Sequence, residues 1–350
     1  MTLETLWYAI ITGMLTGYVV FDGFDLGVGI LHKFVARTDA ERRACLRSIG
    51  PVWDGNEVWL IAAGGALLFA FPRLYAVSFS GFYLPLMMVL WLLVLRALAI
   101  ELRHHVANQV WQPFWDTVFA GASAALALFF GVALGCVIRG VPLAADGTFF
   151  APLWTDLRAS TGTGILDWYT LLVGVTATAA LALHGALWLG WRVGGDVRAR
   201  CDRLVPPLGV AVALLVAGTT AATVWLHPAM LRELAAAPWG APLPALALAG
   251  LAVIARSVRA GRRGRAFAGS AAFLVGMIGS AAFELYPFVL RSTSEVPGLT
   301  AADAASSAHG LAVGLGWWVP GIALVAVYFV YNYRQLPAQI DPNEHAPNDH

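Results

Sequence analysis

The chain has 350 residues, of which 59% are hydrophobic and 12% charged, with a mean hydropathy of +0.70 and a formal net charge of +1. That apolar load excludes an ordinary soluble protein of two or three domains, and the balanced charge gives no sign of a nucleic-acid partner. A bilayer span needs about 20 apolar residues. In chain order such segments fall at 5–31, 51–71, 76–98, 114–137, 164–191, 204–226, 242–258, 266–290 and 308–333. The first lacks a basic leader and carries aspartates late, which predicts a retained helix rather than a cleaved signal peptide. The joins are brief except from Arg139 to Gly162, leaving no room for a separate soluble domain. The predicted fold is all-α: a polytopic membrane bundle of nine transmembrane helices. It forms one integral domain over 1–334, followed by a polar, disordered cytoplasmic tail over 335–350.

Basic residues predict the orientation. One set of alternate loops holds Lys33, Arg37, Arg42, Arg43 and Arg47; Arg103; Arg192, Arg198, Arg200 and Arg203; Arg256, Arg259, Arg262, Arg263 and Arg265; and Arg334. The other holds Arg73, Arg139, Arg158, Arg232 and Arg291. The positive-inside rule makes the first set cytoplasmic, so the N-terminus is expected outside and the C-terminus inside. Cys45, Cys136 and Cys201 form no disulfide framework and no metal-type cluster.

Four places can carry chemistry. Asp22 and Asp25, three apart on the first span among glycines, sit where a charge costs roughly 2.5–3.5 kcal/mol on insertion scales. They either hold helices together by hydrogen bonds or move protons or ions. In GPVWDGNEVW, Pro51 suits a first helical position, so Asp54 and Glu57 are expected in the first turns; they either complement the helix dipole or line a hydrophilic inlet. Trp53 and Trp59 can be read as interfacial belt residues. Arg96, with Glu101 and Arg103, ends the third span. At 1.5 Å per residue Asp25 lies about 12 Å from Lys33 and Arg96 about 10 Å from Arg103, so Asp25, Asp54, Glu57 and Arg96 are expected at similar depth. Pairing would make Arg96 a partner for the carboxylates, with Asp22 left to packing. His184, about 12 Å inside the fifth span, has no second axial ligand at its depth, which favours a packing histidine over a haem ligand. Glu284 in FELYPF touches either a lipid headgroup or an adjacent helix.

FDGFDLGVG at 21–29, GPVWDGNEVWL at 50–60, the following Phe71 and Pro72, and Arg96 with Glu101 and Arg103 resemble subunit II of the cytochrome bd quinol oxidase family, including its cyanide-insensitive branch. The nine-span layout and DAASSAHGL at 303–311 extend the resemblance along the chain. It implies a bacterial inner-membrane heterodimer whose subunit I carries two haems b, haem d and the quinol site. Subunit II would hold no haem, and the assembled enzyme would oxidise quinol and reduce oxygen to water without pumping. By the same resemblance Asp25, Asp54 and Arg96 match positions associated with a cytoplasmic proton inlet. Glu57 and Glu101 join them from depth and spacing, while Asp22, His184 and Glu284 are structural polar residues. The resemblance admits a structural quinone or lipid in this chain, a small accessory subunit and membrane lipids as further partners. A secondary transporter or ion channel using intramembrane carboxylates is the alternative, although neither internal repeats nor broken midplane helices are evident.

Overall fold

A computed structural model describes residues 1–159, 164–230, 232 and 237–342. Helix α1 (Leu3–Val35) runs 33 residues, about 50 Å at 1.5 Å per residue. Thr2 caps its first turn, and its lower half is buried on nearly every side, with Asp22 through Gly29 all inside. Small residues make this central position possible: a Cβ on Gly27 would meet the α7 backbone, 2.7 Å from Gly185 Cα, and one on Gly29 would meet Ser123. Helix α1 therefore packs directly on α6 (Trp111–Arg139) and α7 (Trp168–Arg192).

The basic segment after α1 is more ordered than a loop. Thr38 and Glu41 form a reciprocal capping box that starts the short helix α2 (Asp39–Ile49), and its Ala44, Cys45, Leu46 and Ile49 enter the main apolar core. Helix α3 (Trp53–Ala70) begins two residues later than the Pro51 signal predicts. Pro72 then opens a separate helix, α4 (Pro72–Gly81), bent by 119° from α3. That turn moves the next membrane-length helix from the expected 76–98 to α5 (Tyr83–Leu102).

The second half follows the hydropathy reading more closely. Helix α8 (Gly195–Leu226) accommodates Pro206 and Pro207 within its length. A 3-10 turn at Pro238–Gly240 leads into α9 (Pro242–Arg259), giving the short seventh span 22 residues in all. Helix α10 (Arg263–Leu285) stops earlier than the expected 290: Pro287 cannot continue it, and Phe288–Leu290 (β1) pairs antiparallel with Leu299–Thr300 (β2). A single turn, α11 (Ala301–Ala304), precedes α12 (Ala308–Gln335). Among the described residues, eight helices are long and apolar enough to cross a membrane, or nine if the bent α3–α4 pair counts as one span. The result is the all-helical bundle that the composition predicts.

The basic segments meet at one end of this bundle, called here the basic end. Arg103 after α5 reaches Asp116 of α6, Arg200 of α8 reaches Glu41 of α2, and Arg263 of α10 reaches Asp202 of α8. The chain after α12 docks there too, correcting the expectation of a tail disordered from 335. Leu336 and Ile340 are buried, the Ile340 amide donates to the Arg192 carbonyl at 2.8 Å, and the Gly194 amide donates to the Ile340 carbonyl at 2.8 Å. The Arg192 carbonyl and Gly194 amide at the α7–α8 break, where the helical hydrogen bonding is interrupted, supply the edge that holds this strap. Residues 343–350 of the expected tail, and Gly162 of the long join, lie outside the described residues.

Candidate functional site: a buried carboxylate cluster

Helix α5 carries the first element of the site. Its apolar side chains are exposed or partly exposed apart from Ala99 and Ile100, whereas Arg96 is fully buried. An arginine so placed must find negative charge, since a lone buried guanidinium costs several kcal/mol. Its partner is Asp22 of α1, also fully buried. Arg96 Nη1 donates to Asp22 Oδ2 at 2.8 Å and Nη2 to Asp22 Oδ1, a two-pronged fork matched to the carboxylate plane. Glu57 of α3 is a second counter-charge, with Oε1 3.1 Å from Arg96 Nη1 and its side chain 20% exposed.

Asp25 is fully buried one turn along α1 but meets neutral partners. Asn56 of α3 donates from Nδ2 to Asp25 Oδ2 at 2.7 Å and to the Phe21 carbonyl at 3.2 Å. Tyr333 near the end of α12 donates its hydroxyl to Asn56 Oδ1 at 2.9 Å. Asp25 Oδ1, Arg96 Nε and the Tyr18 hydroxyl have no hydrogen-bond partner among the described residues. The site thus holds three carboxyl groups, Asp22, Asp25 and Glu57, around one guanidinium, with polar atoms to spare.

The geometry rearranges the expected set. Arg96 pairs with Asp22 and Glu57, not with Asp25 and Asp54; the rotation of α1 about its axis presents Asp22 to α5 and Asp25 to α3. Asp22 is therefore an ion-pair partner at the centre rather than a packing residue. Asp54 is exposed at the start of α3, one turn before Glu57, and lies outside the buried cluster. Glu101 is exposed, about 7.5 Å along α5 from Arg96, and is not drawn in. Trp59 is no belt residue: it stacks on Phe21 with ring centroids 5.6 Å apart and lies over Gly17.

His184 has both ring nitrogens engaged. Nε2 lies 3.0 Å from the Val20 carbonyl, which can only accept, so Nε2 carries the proton; Nδ1 faces Ser270 Oγ at 2.6 Å. Its ring also stacks on Phe267, with centroids 4.6 Å apart. Glu284 accepts from Arg291 Nη1 at 2.8 Å, seven residues on, after the helix has ended.

The sequence reading missed a second polar centre at the basic end. Asp116 of α6, itself buried, accepts from Arg103 Nε at 2.6 Å and Arg42 Nη1 at 3.1 Å, and lies 2.7 Å from His32 Nε2. Arg103 also reaches Asp39 at 2.7 Å, so one aspartate ties together α1, α2, α5 and α6. Its signal was available: Asp116 is the lone charged residue of segment 114–137. Beside it, burial would raise the Glu41 carboxyl, but the Arg200 fork and the amides of Arg37 and Thr38 outweigh burial and hold it below the usual carboxylate range.

Comparison with known proteins places these residues in context. The family model described as cytochrome bd terminal oxidase subunit II matches residues 3–336. The chain is 34% identical to the probable cytochrome oxidase subunit 2 of Haemophilus influenzae, covering 99% of this chain and 98% of that protein. It is 31% identical to the cytochrome bd-I ubiquinol oxidase subunit 2 of Escherichia coli K12, again over 99% and 98%. The cytochrome bd ubiquinol oxidase subunit 2 of Bacillus subtilis is 30% identical over 89% of each chain. A chain of the bd oxidase structure from Geobacillus thermodenitrificans superposes with a TM-score of 0.68, covering 95% of this chain and 100% of that one at 18% identity, a likeness of fold.

Proposed function

The chain belongs to the cytochrome bd terminal oxidase subunit II family, and from that premise we propose that it is the haem-free subunit of a quinol:dioxygen oxidoreductase, stabilising a haem-bearing subunit I and supplying its proton inlet. Membership makes it a subunit of an oxidoreductase complex and a multi-pass protein of the bacterial inner membrane, and it removes the reason for a transporter or channel reading. In this reading the two haems b, haem d and the quinol site belong to subunit I. His184 does not fit a haem: one ring nitrogen donates to Val20, the other is held by Ser270, and Phe267 covers the ring face. The electrons that reduce oxygen would travel on the partner's haems, and this chain's residues would handle protons. Lipids, a small accessory subunit and a structural quinone are further expected associates.

The observation that carries the reading is the unequal cluster of three carboxyl groups around Arg96, with a partly exposed Glu57 at its edge and an exposed Asp54 one turn before it on α3. The positive-inside rule supports a cytoplasmic position for the basic end, and therefore an inlet opening to the cytoplasm. Asp54 would collect protons at the start of α3, and Glu57 would relay them one turn further. Asp25, bonded only through neutral Asn56 and with a free oxygen, would hold the innermost proton. Arg96 and Asp22 would keep the local charge balanced while that proton comes and goes. Glu101, exposed and outside the cluster, would act at most as a surface collector.

Asp54→Asn tests the entrance, because it keeps the shape and removes the ionisable group. Oxygen consumption by the assembled enzyme should fall sharply while its assembly stays near wild type. A wild-type rate across the working pH range would return Asp54 to the role of a carboxylate stabilised by the helix dipole.

A further inference from the structure

We infer that Tyr333 is a positioning residue for Asp25, acting through Asn56 and held in place by the strap that follows α12; the inference rests on the inlet reading above. Helix α12 is otherwise thinly attached, with Leu311 its one buried residue among those described, at the end far from Tyr333. Yet the Tyr333 hydroxyl reaches 2.9 Å from Asn56 Oδ1, and its ring packs on Phe329 and Phe21 with centroids 5.9 and 5.8 Å away.

An asparagine amide has two distinguishable ends, and its rotamer alone does not decide which end faces a neighbour. The Phe21 carbonyl and the Asp25 carboxylate can only accept, so the NH2 end faces them, and the hydroxyl that Tyr333 donates to Oδ1 satisfies the other end and holds the amide in that place. Without that donor, Asn56 Oδ1 is left buried and unsatisfied, and the amide that donates to Asp25 loses the contact that holds it in place. The charged and titratable side chains around Asp25 are Asp22 on its own helix, Glu57 on α3, Arg96 on α5 and Tyr333 on α12.

What keeps Tyr333 there is the chain beyond it. Seven residues later Ile340 is buried, with its amide donating to the Arg192 carbonyl and its carbonyl accepting from Gly194, each at 2.8 Å. Arg192 in turn donates to the Pro337 carbonyl at 3.1 Å, and its guanidinium lies 4.1 Å from the centroid of the Trp191 ring. The strap thus fastens the end of α12 to the α7–α8 break.

The test compares the assembled wild-type complex with Tyr333→Phe, with a chain ending after Gln335, and with Asp25→Asn. Turnover per assembled complex is followed as a function of pH. Tyr333→Phe should assemble normally, lose about three- to tenfold in turnover, the effect of one buried hydrogen bond, and shift the pH of half-maximal rate. The truncated chain should reproduce that profile, and Tyr333→Phe should add nothing in an Asn56→Ala background. A Tyr333→Phe profile superimposable on wild type, or one in which only the amount of complex falls, overturns the inference even if Asp25→Asn is slow. Wild-type turnover in Asp25→Asn would instead overturn the inlet reading, and this inference with it.

Discussion

Replacing Arg96 by leucine removes the only cation within reach of two buried or half-buried carboxylates among the described residues, and the structure sets the size of the effect. Arg96 Nη1 is 2.8 Å from Asp22 Oδ2 and 3.1 Å from Glu57 Oε1, and both Arg96 and Asp22 are fully buried. Unit charges about 4 Å apart attract by about 4 kcal/mol at an effective dielectric of about 20. Breaking a buried pair by deleting one partner costs about 3–5 kcal/mol, because the other charge stays uncompensated. Arg96→Leu should therefore lower unfolding stability by that amount and reduce the assembled complex severely. Glu57, being partly exposed, adds little to the total. Adding Asp22→Asn should recover about 2–3 kcal/mol, a coupling of the size that contacting residues show. The assay is denaturant unfolding of the purified complex in detergent, read by tryptophan fluorescence, for wild type, both single variants and the double. An Arg96→Leu complex within about 1 kcal/mol of wild type, or strictly additive variants, would refute the buried fork as the source of stability.

Gly27→Ala should separate α1 from α7, since its Cβ would meet main-chain atoms that cannot give way; a loss of about 1–3 kcal/mol or failed assembly is expected, whereas Gly13→Ala, with open space around it, should be neutral in the same unfolding assay. Glu41 has a folded pKa below its unfolded value, so its contribution is present above the unfolded pKa and is lost as pH falls through the folded one. Thermal unfolding of the complex should show an acid limb beginning below about pH 4 that Glu41→Gln flattens, and an unchanged limb would remove Glu41 as its source.

Hydropathy and charge made the architecture legible because membrane spans impose a length and a composition that no loop shares. What they could not register was geometry decided by neighbours. The Phe71–Pro72 break was visible as a join, but not the 119° turn that shifts α5 along the sequence. Segment 33–47 looked like a basic loop because its charge masks the apolar face of α2, a face that the capping box and core residues define only once folded. At the site, rise along a helix put Asp25, Asp54, Glu57 and Arg96 at one depth and left Asp22 to packing, whereas the folded chain brings Asp22 in and leaves Asp54 exposed. Depth could not say that Arg96 takes Asp22, because the two aspartates lie on neighbouring faces and helix rotation chooses between them. Tyr333 was beyond reach for a different reason. It lies 277 residues from Asn56, and nothing local distinguishes it from the other aromatic residues of α12.

In the proposed function, protons reach the partner subunit through Asp25. The most direct test is proton uptake from the basic-end side by the reconstituted complex, measured with a pH reporter during quinol-driven oxygen consumption. Asp25→Asn should assemble at near wild-type level while its coupled uptake and oxygen consumption fall together by at least about tenfold, the lower end of what a positioned acid–base group contributes being larger still. Uptake and oxygen consumption at wild-type rates in that variant would contradict it.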